Sequence, residues 1–162
     1  MEENKKKSTI IAYFDRVIVN TLSGEIYPTN YFDMRVNFNV LKALKEYSPN
    51  RIVVFANRTV IHSGKKINNR EFWSKINFVR AGISNYFRMS HKEVSVYALY
   101  SIAHEWKLDL NSNSAYFTEG IENFIPEDTL FIGPDDVTGK DFCEEIGITF
   151  INIKEFFDTY GN

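Results

Sequence analysis

Ile10-Ile11-Ala12-Tyr13-Phe14-Asp15 decides how this chain reads. Five apolar residues, two β-branched and two aromatic, run without a break into a carboxylate. A short run of this kind reads as a strand buried on both faces, the kind found in parallel sheets. Ligands of open parallel sheets lie outside the C-terminal strand ends, so Asp15 stands where chemistry is placed. The next residues, Arg16-Val17-Ile18-Val19, supply no second carboxylate.

The same strand signal recurs along the chain. Arg51-Ile52-Val53-Val54-Phe55-Ala56 is an unbroken β-branched run, and residues 94–100, 129–132 and 148–151 are further short strands. Helices are predicted between them. Residues 36–47 carry Val36, Val40, Leu41 and Leu44, and residues 68–87 carry Phe72, Ile76, Val79 and Ile83, all at helical spacing. Shorter helices are expected over 141–146 and through Phe156 and Phe157. Residues 17–19 and 25–27 flank Asn20-Thr21-Leu22-Ser23-Gly24 and predict a small hairpin flap beyond the first strand. The stretch 101–124 carries a weaker signal, with a helix expected over 103–107 and a turn at 111–114. Strands alternating with helices imply a three-layer, Rossmann-like α/β domain: a mostly parallel five-stranded sheet with helices on both faces. The segments between strands are too short for a sizeable cap domain. Residues 1–8 read as a disordered charged tail and residues 9–162 as one domain.

Composition narrows the function classes. Fourteen Phe and nine Tyr among 162 residues imply a core of large rings and argue against disorder. No apolar run approaches the ~20 residues that cross a bilayer, so no membrane role is expected. The charged start of the chain, Glu2-Glu3-Asn4-Lys5-Lys6-Lys7, has no secretory pattern. The single cysteine, Cys143, excludes an internal disulfide framework and suits a reducing intracellular or cytoplasmic setting; it is expected in the core. Residues 51–92 hold nine Lys/Arg against one Glu, whereas residues 105–162 hold three Lys against thirteen Asp/Glu. That asymmetry reads as two differently charged faces, with association between copies through them as a hypothesis. His62, His91 and His104 are far apart in sequence and predict no zinc site. Phe72, Trp73 and Phe78 read as core or partner-facing rather than as a base-stacking platform.

Carboxylates end two of the strands: Asp15 after the first, and Asp135 with Asp136 after the fourth. If these strands are neighbours, the three are candidate ligands for magnesium, which takes one or two carboxylates plus waters and a phosphate. Asp15 is then a candidate nucleophile for phosphoryl transfer, with a nearby lysine to steady the phosphoryl oxygens.

Together these residues resemble the haloacid-dehalogenase-like (HAD) phosphatase superfamily, closest to the polynucleotide 3′-phosphatase domain found beside polynucleotide kinases. Phe14-Asp15 and Ser23-Gly24-Glu25-Ile26-Tyr27-Pro28 resemble the two ends of that family's opening motif, Phe-Asp-x-Asp-x-Thr and a Ser-Gly-x-Val-Phe-Pro flap, with a shortened stretch between. Val53-Val54-Phe55-Ala56-Asn57 resembles a strand ending in Phe-Thr-Asn. Trp106-Lys107-Leu108 is similar to a Lys-Pro loop, and Phe131-Ile132-Gly133-Pro134-Asp135-Asp136, with Asp141 beyond, to a strand ending in Gly-Asp. The resemblance implies that the first strand is central, with the second and fourth beside it. It also implies a magnesium-dependent phosphatase with Asp15 as nucleophile, Lys107 and Asn57 in support, and Asp15, Asp135 and Asp136 as metal candidates.

The departures point away from turnover. The family's proton donor, two residues after the nucleophile, is Val17 here, and its phosphate-binding threonine is Ala56. Losing a general acid and a phosphate donor costs around two or more orders of magnitude each. Two functions follow. One is a catalytically degenerate HAD-like protein, a binding or structural component of a larger assembly with a protein partner or a second copy. The other is an active phosphatase on a nucleic-acid 3′ end. The missing acid favours the first.

Overall fold

The computed structural model describes residues 6–28, 30, 32–57, 69–90, 93–102, 105–108, 125–136 and 139–161. Its main sheet has six strands in the order β6-β5-β4-β1-β7-β8: β1 is Thr9–Tyr13, β4 Arg51–Asn57, β5 Val94–Ile102, β6 Glu105–Leu108, β7 Thr129–Gly133 and β8 Thr149–Asn152. Five of them are parallel. β1 lies between β4 and β7, with Tyr13 beside Phe55 and Ala12 beside Ile132. The expected central place of the first strand, with the second and fourth on either side, is therefore what is seen. The domain is a mostly parallel α/β sheet with helices.

The sixth strand corrects the five-stranded expectation. The predicted helix over 103–107 is instead, from Glu105 to Leu108, an antiparallel edge strand on β5, with Lys107 opposite Tyr100. Four residues are too few for periodicity to separate a strand from a helical turn, so the pairing with β5 decides. The flap is corrected as well. β2 (Val19–Asn20) pairs with β3 (Arg35–Val36), not with residues 25–27. Val36 thus belongs to a strand, and helix α1 runs Phe38–Tyr47.

Helix α2 (Asn69–Phe87) buries Phe72, Trp73, Ile76, Val79 and Ile83, and leaves Phe78 exposed. Helix α3 (Lys140–Ile146) buries Phe142 and Cys143, and helix α4 (Ile153–Tyr160) buries Phe156. A capping box starts α4: Asn152 accepts from the Glu155 amide at 2.9 Å while Glu155 accepts from the Asn152 amide.

Successive strand residues point to opposite faces. On one face the rings of Tyr13, Phe55 and Phe131 meet Phe142 of α3, with Phe55 5.0 Å from both Phe131 and Phe142. Gly139, at φ +94, leaves room for this cluster, since a Cβ there would stand 2.9 Å from the Phe131 ring. On the other face Phe14 lies against Lys75 of α2. Lys7 and Ser8, in the segment read as a tail, are held: the Lys7 amide donates to the Tyr47 hydroxyl and the Ser8 amide to Asp128. Residues 1–5, the loop at 63–66, the turn at 111–114 and all three histidines lie outside the described residues. No described helix is long and apolar enough to cross a membrane.

Candidate functional site

β1 carries Asp15 to the C-terminal edge of the sheet and then turns a tight corner. The Arg16 amide donates to the Val19 carbonyl at 2.7 Å, and the Val19 amide to the Phe14 carbonyl at 3.0 Å. Arg16 sits at φ 67, the left-handed region that a non-glycine residue occupies only at a cost. Val17 and Ile18 are fully buried. The Arg16 guanidinium pairs with Asp136 and lies 5.9 Å from the centre of the Tyr27 ring.

Asp15 itself is 5% exposed. Burial pushes its carboxyl up from 3.8 to about 6, against the opposing pull of Lys75 and Arg16. Lys75, on α2, is 3% exposed, with its ammonium 5.5 Å from the centre of the Phe14 ring. Burial holds it down from 10.5 to about 8, with Asp15 and Asp33 pulling the other way. Asp33 is buried too, and its carboxylate accepts from both the Ser23 amide (2.7 Å) and the Ser23 hydroxyl (2.6 Å). Asn30 builds the turn that presents Asp33, its side chain accepting from the Phe32 and Asp33 amides. Lys75 is therefore the charge shared between the end of β1 and the flap.

The expected site residues divide. Asp15 is where β1 was expected to put it. Asn57 ends β4 two residues past Phe55, the partner of Tyr13, so its backbone is level with Asp15. Asp135 and Asp136 lie exposed in the turn after β7, the neighbour of β1, and Asp136 meets Arg16. Lys107 stands in β6, three strands from β1, which at the usual strand spacing is about 14 Å away. The lysine that sits with Asp15 is Lys75. It was detectable as a charge three residues after Phe72 and four before Val79, inside the apolar stripe of α2. Asp33, between Phe32 and Met34, carried no comparable signal.

These shifts predict a pH dependence. Folded Asp15 keeps its proton across a window, from 3.8 to about 6, in which the unfolded chain has released it. The folded state binds more protons there, so the contribution of Asp15 to stability is fully present below pH 4 and is lost as pH rises through 6. Urea unfolding of the wild type should show this fall, and Asp15→Asn should lack it. Equal slopes in both proteins would contradict a raised Asp15 pKa.

The fold and its strand-end crevice define an α/β domain whose central carboxylate is surrounded by protein cations. No protein-family model matches the chain, and no curated protein matches it.

Proposed function

We propose that the chain is a catalytically degenerate relative of the HAD-like phosphatases, acting as a binding or structural component rather than as a hydrolase. The observation that carries this reading is the corner after Asp15. Val17, at the position where the family keeps its proton donor, has no exposed surface and no ionisable group. Asp15 is itself only 5% exposed, which leaves a phosphate ester little access to its carboxylate. The strand order, with β1 between β4 and β7, supports the relationship. The exposed apolar side chains of the flap, Leu22, Ile26 and Phe32, with Phe38 at the start of α1, support a role in contacting another molecule.

The test is an assay with a generic phosphate ester and with a 3′-phosphorylated oligonucleotide, both with magnesium, beside Asp15→Asn. The expected result is no turnover above the Asp15→Asn background. Hydrolysis that Asp15→Asn abolishes would establish instead a magnesium-dependent phosphatase using Asp15.

A further inference from the structure

The resemblance calls for a divalent cation between Asp15 and the carboxylates after β7, and the residues here do not suit one. Magnesium needs near-octahedral oxygen ligands and retains several waters. Asp15, 5% exposed, offers little room for a hydrated ion. Its surroundings already hold two positive charges, the Lys75 ammonium and the Arg16 guanidinium. Arg16 also takes Asp136, one of the two candidates for a second ligand. Among the described residues no three His, Cys, Asp or Glu side chains converge on a common point.

We infer that this strand end carries its own cations where the resemblance places a divalent metal: the buried Lys75 ammonium beside Phe14, the residue before Asp15, and the Arg16 guanidinium that pairs with Asp136. Lys75 projects from α2 into a place where a long charged side chain is almost never fully buried unless paired. It lies beside the Phe14 ring at the end of β1, and its charge attracts Asp15 and Asp33, the latter also accepting both Ser23 hydrogen bonds in the flap. A cation tethered to a helix needs no binding equilibrium, so the end of β1, the flap and α2 stay joined whatever the metal concentration. The inference deepens the function proposed above, resting on it in taking the crevice for the remnant of a phosphatase site.

The experiment reads metal binding rather than turnover. The full chain, freed of metal by chelator, is titrated with Mg²⁺ in thermal melts and with Mn²⁺ by electron paramagnetic resonance. The wild type should melt at one temperature throughout and leave Mn²⁺ free. Lys75→Ala removes that buried ammonium and should gain metal dependence. Its melting point should rise by roughly 5–10 °C at a hundredfold excess over Kd, and lose that rise in Lys75→Ala/Asp15→Asn. Saturable one-to-one Mn²⁺ binding by the wild type, abolished in Asp15→Asn, would overturn the inference. A folded Lys75→Ala that stays indifferent to metal would also overturn it. If Lys75→Ala is unfolded in chelator, recovery of its folded circular dichroism on adding Mg²⁺ supports the inference, and failure to recover counts against it. Phosphate-ester turnover in chelator would remove the degenerate reading and leave this inference standing. Wild-type metal binding without turnover would do the reverse.

Discussion

Val17→Asp, the change that restores the family's second carboxylate, is expected to destabilise the domain severely rather than to start hydrolysis. Val17 has no accessible surface and belongs to the same core as Tyr13, Phe14 and Ile18. A carboxyl group there loses water without gaining a designed partner, at a cost on the order of 4 kcal/mol. Domains of this kind have about 5–15 kcal/mol in all, so that is a large share. The check is a urea midpoint set beside Val17→Thr, which nearly keeps the volume and introduces only a hydroxyl. The aspartate variant should be far the weaker, and inactive on a 3′-phosphorylated oligonucleotide. A Val17→Asp protein that folds like the wild type and hydrolyses that substrate would overturn both the buried place of residue 17 and the degenerate reading.

The second large effect belongs to Lys75. Lys75→Met keeps the length and apolar stem of the side chain but deletes the ammonium. Asp15 and Asp33 then lose the buried positive charge that attracts both, so the loss should exceed the ~1.5 kcal/mol of an ordinary volume-conserving swap. The loss should depend on pH. Near pH 7.5 Asp15 is ionised and feels the full effect, whereas at pH 5 it holds a proton and needs the cation less. The stability gap between wild type and Lys75→Met should therefore narrow as pH falls from 7.5 to 5. A double-mutant cycle with Asp15→Asn should give a coupling energy of the same sign. A gap that does not change with pH would mean that Lys75 acts through packing alone.

The parallel strands were legible because each is buried on both faces, so that Ile52 to Ala56, for example, reads as an unbroken apolar run. Helix α2 was legible from Phe72, Ile76, Val79 and Ile83, which face one way at the helical period. What failed were short elements whose state depends on distant partners. Glu105–Leu108 is a strand because β5 offers it an edge, and Arg35–Val36 because Val19 and Asn20 lie alongside. No local period records either fact. The site was half legible for the same reason. Asp15 announces itself by ending a strand, and the absence of an acid at Val17 can be read directly. Lys75 and Asp33 join Asp15 only when α2 and the flap close over β1, which is a matter of tertiary geometry. The lysine chosen from motif likeness, Lys107, lies at the far side of the sheet from Lys75's position beside β1.

The left-handed corner at Arg16 has a consequence for how this protein can change. Glycine or asparagine at that position would relax the backbone, a gain on the order of 1 kcal/mol, while removing a guanidinium that pairs with Asp136 and lies over Tyr27, contacts worth about 0–1 kcal/mol each. The same substitution would remove a positive charge that attracts Asp15. Functional sites usually trade stability for access, so that improving one harms the other. At this corner one substitution relieves the backbone and alters the charge beside the buried carboxylate. Arg16 is thus the natural first position to randomise in any attempt to evolve a new activity from this scaffold, because relief of its left-handed backbone offsets part of what its side chain contributes.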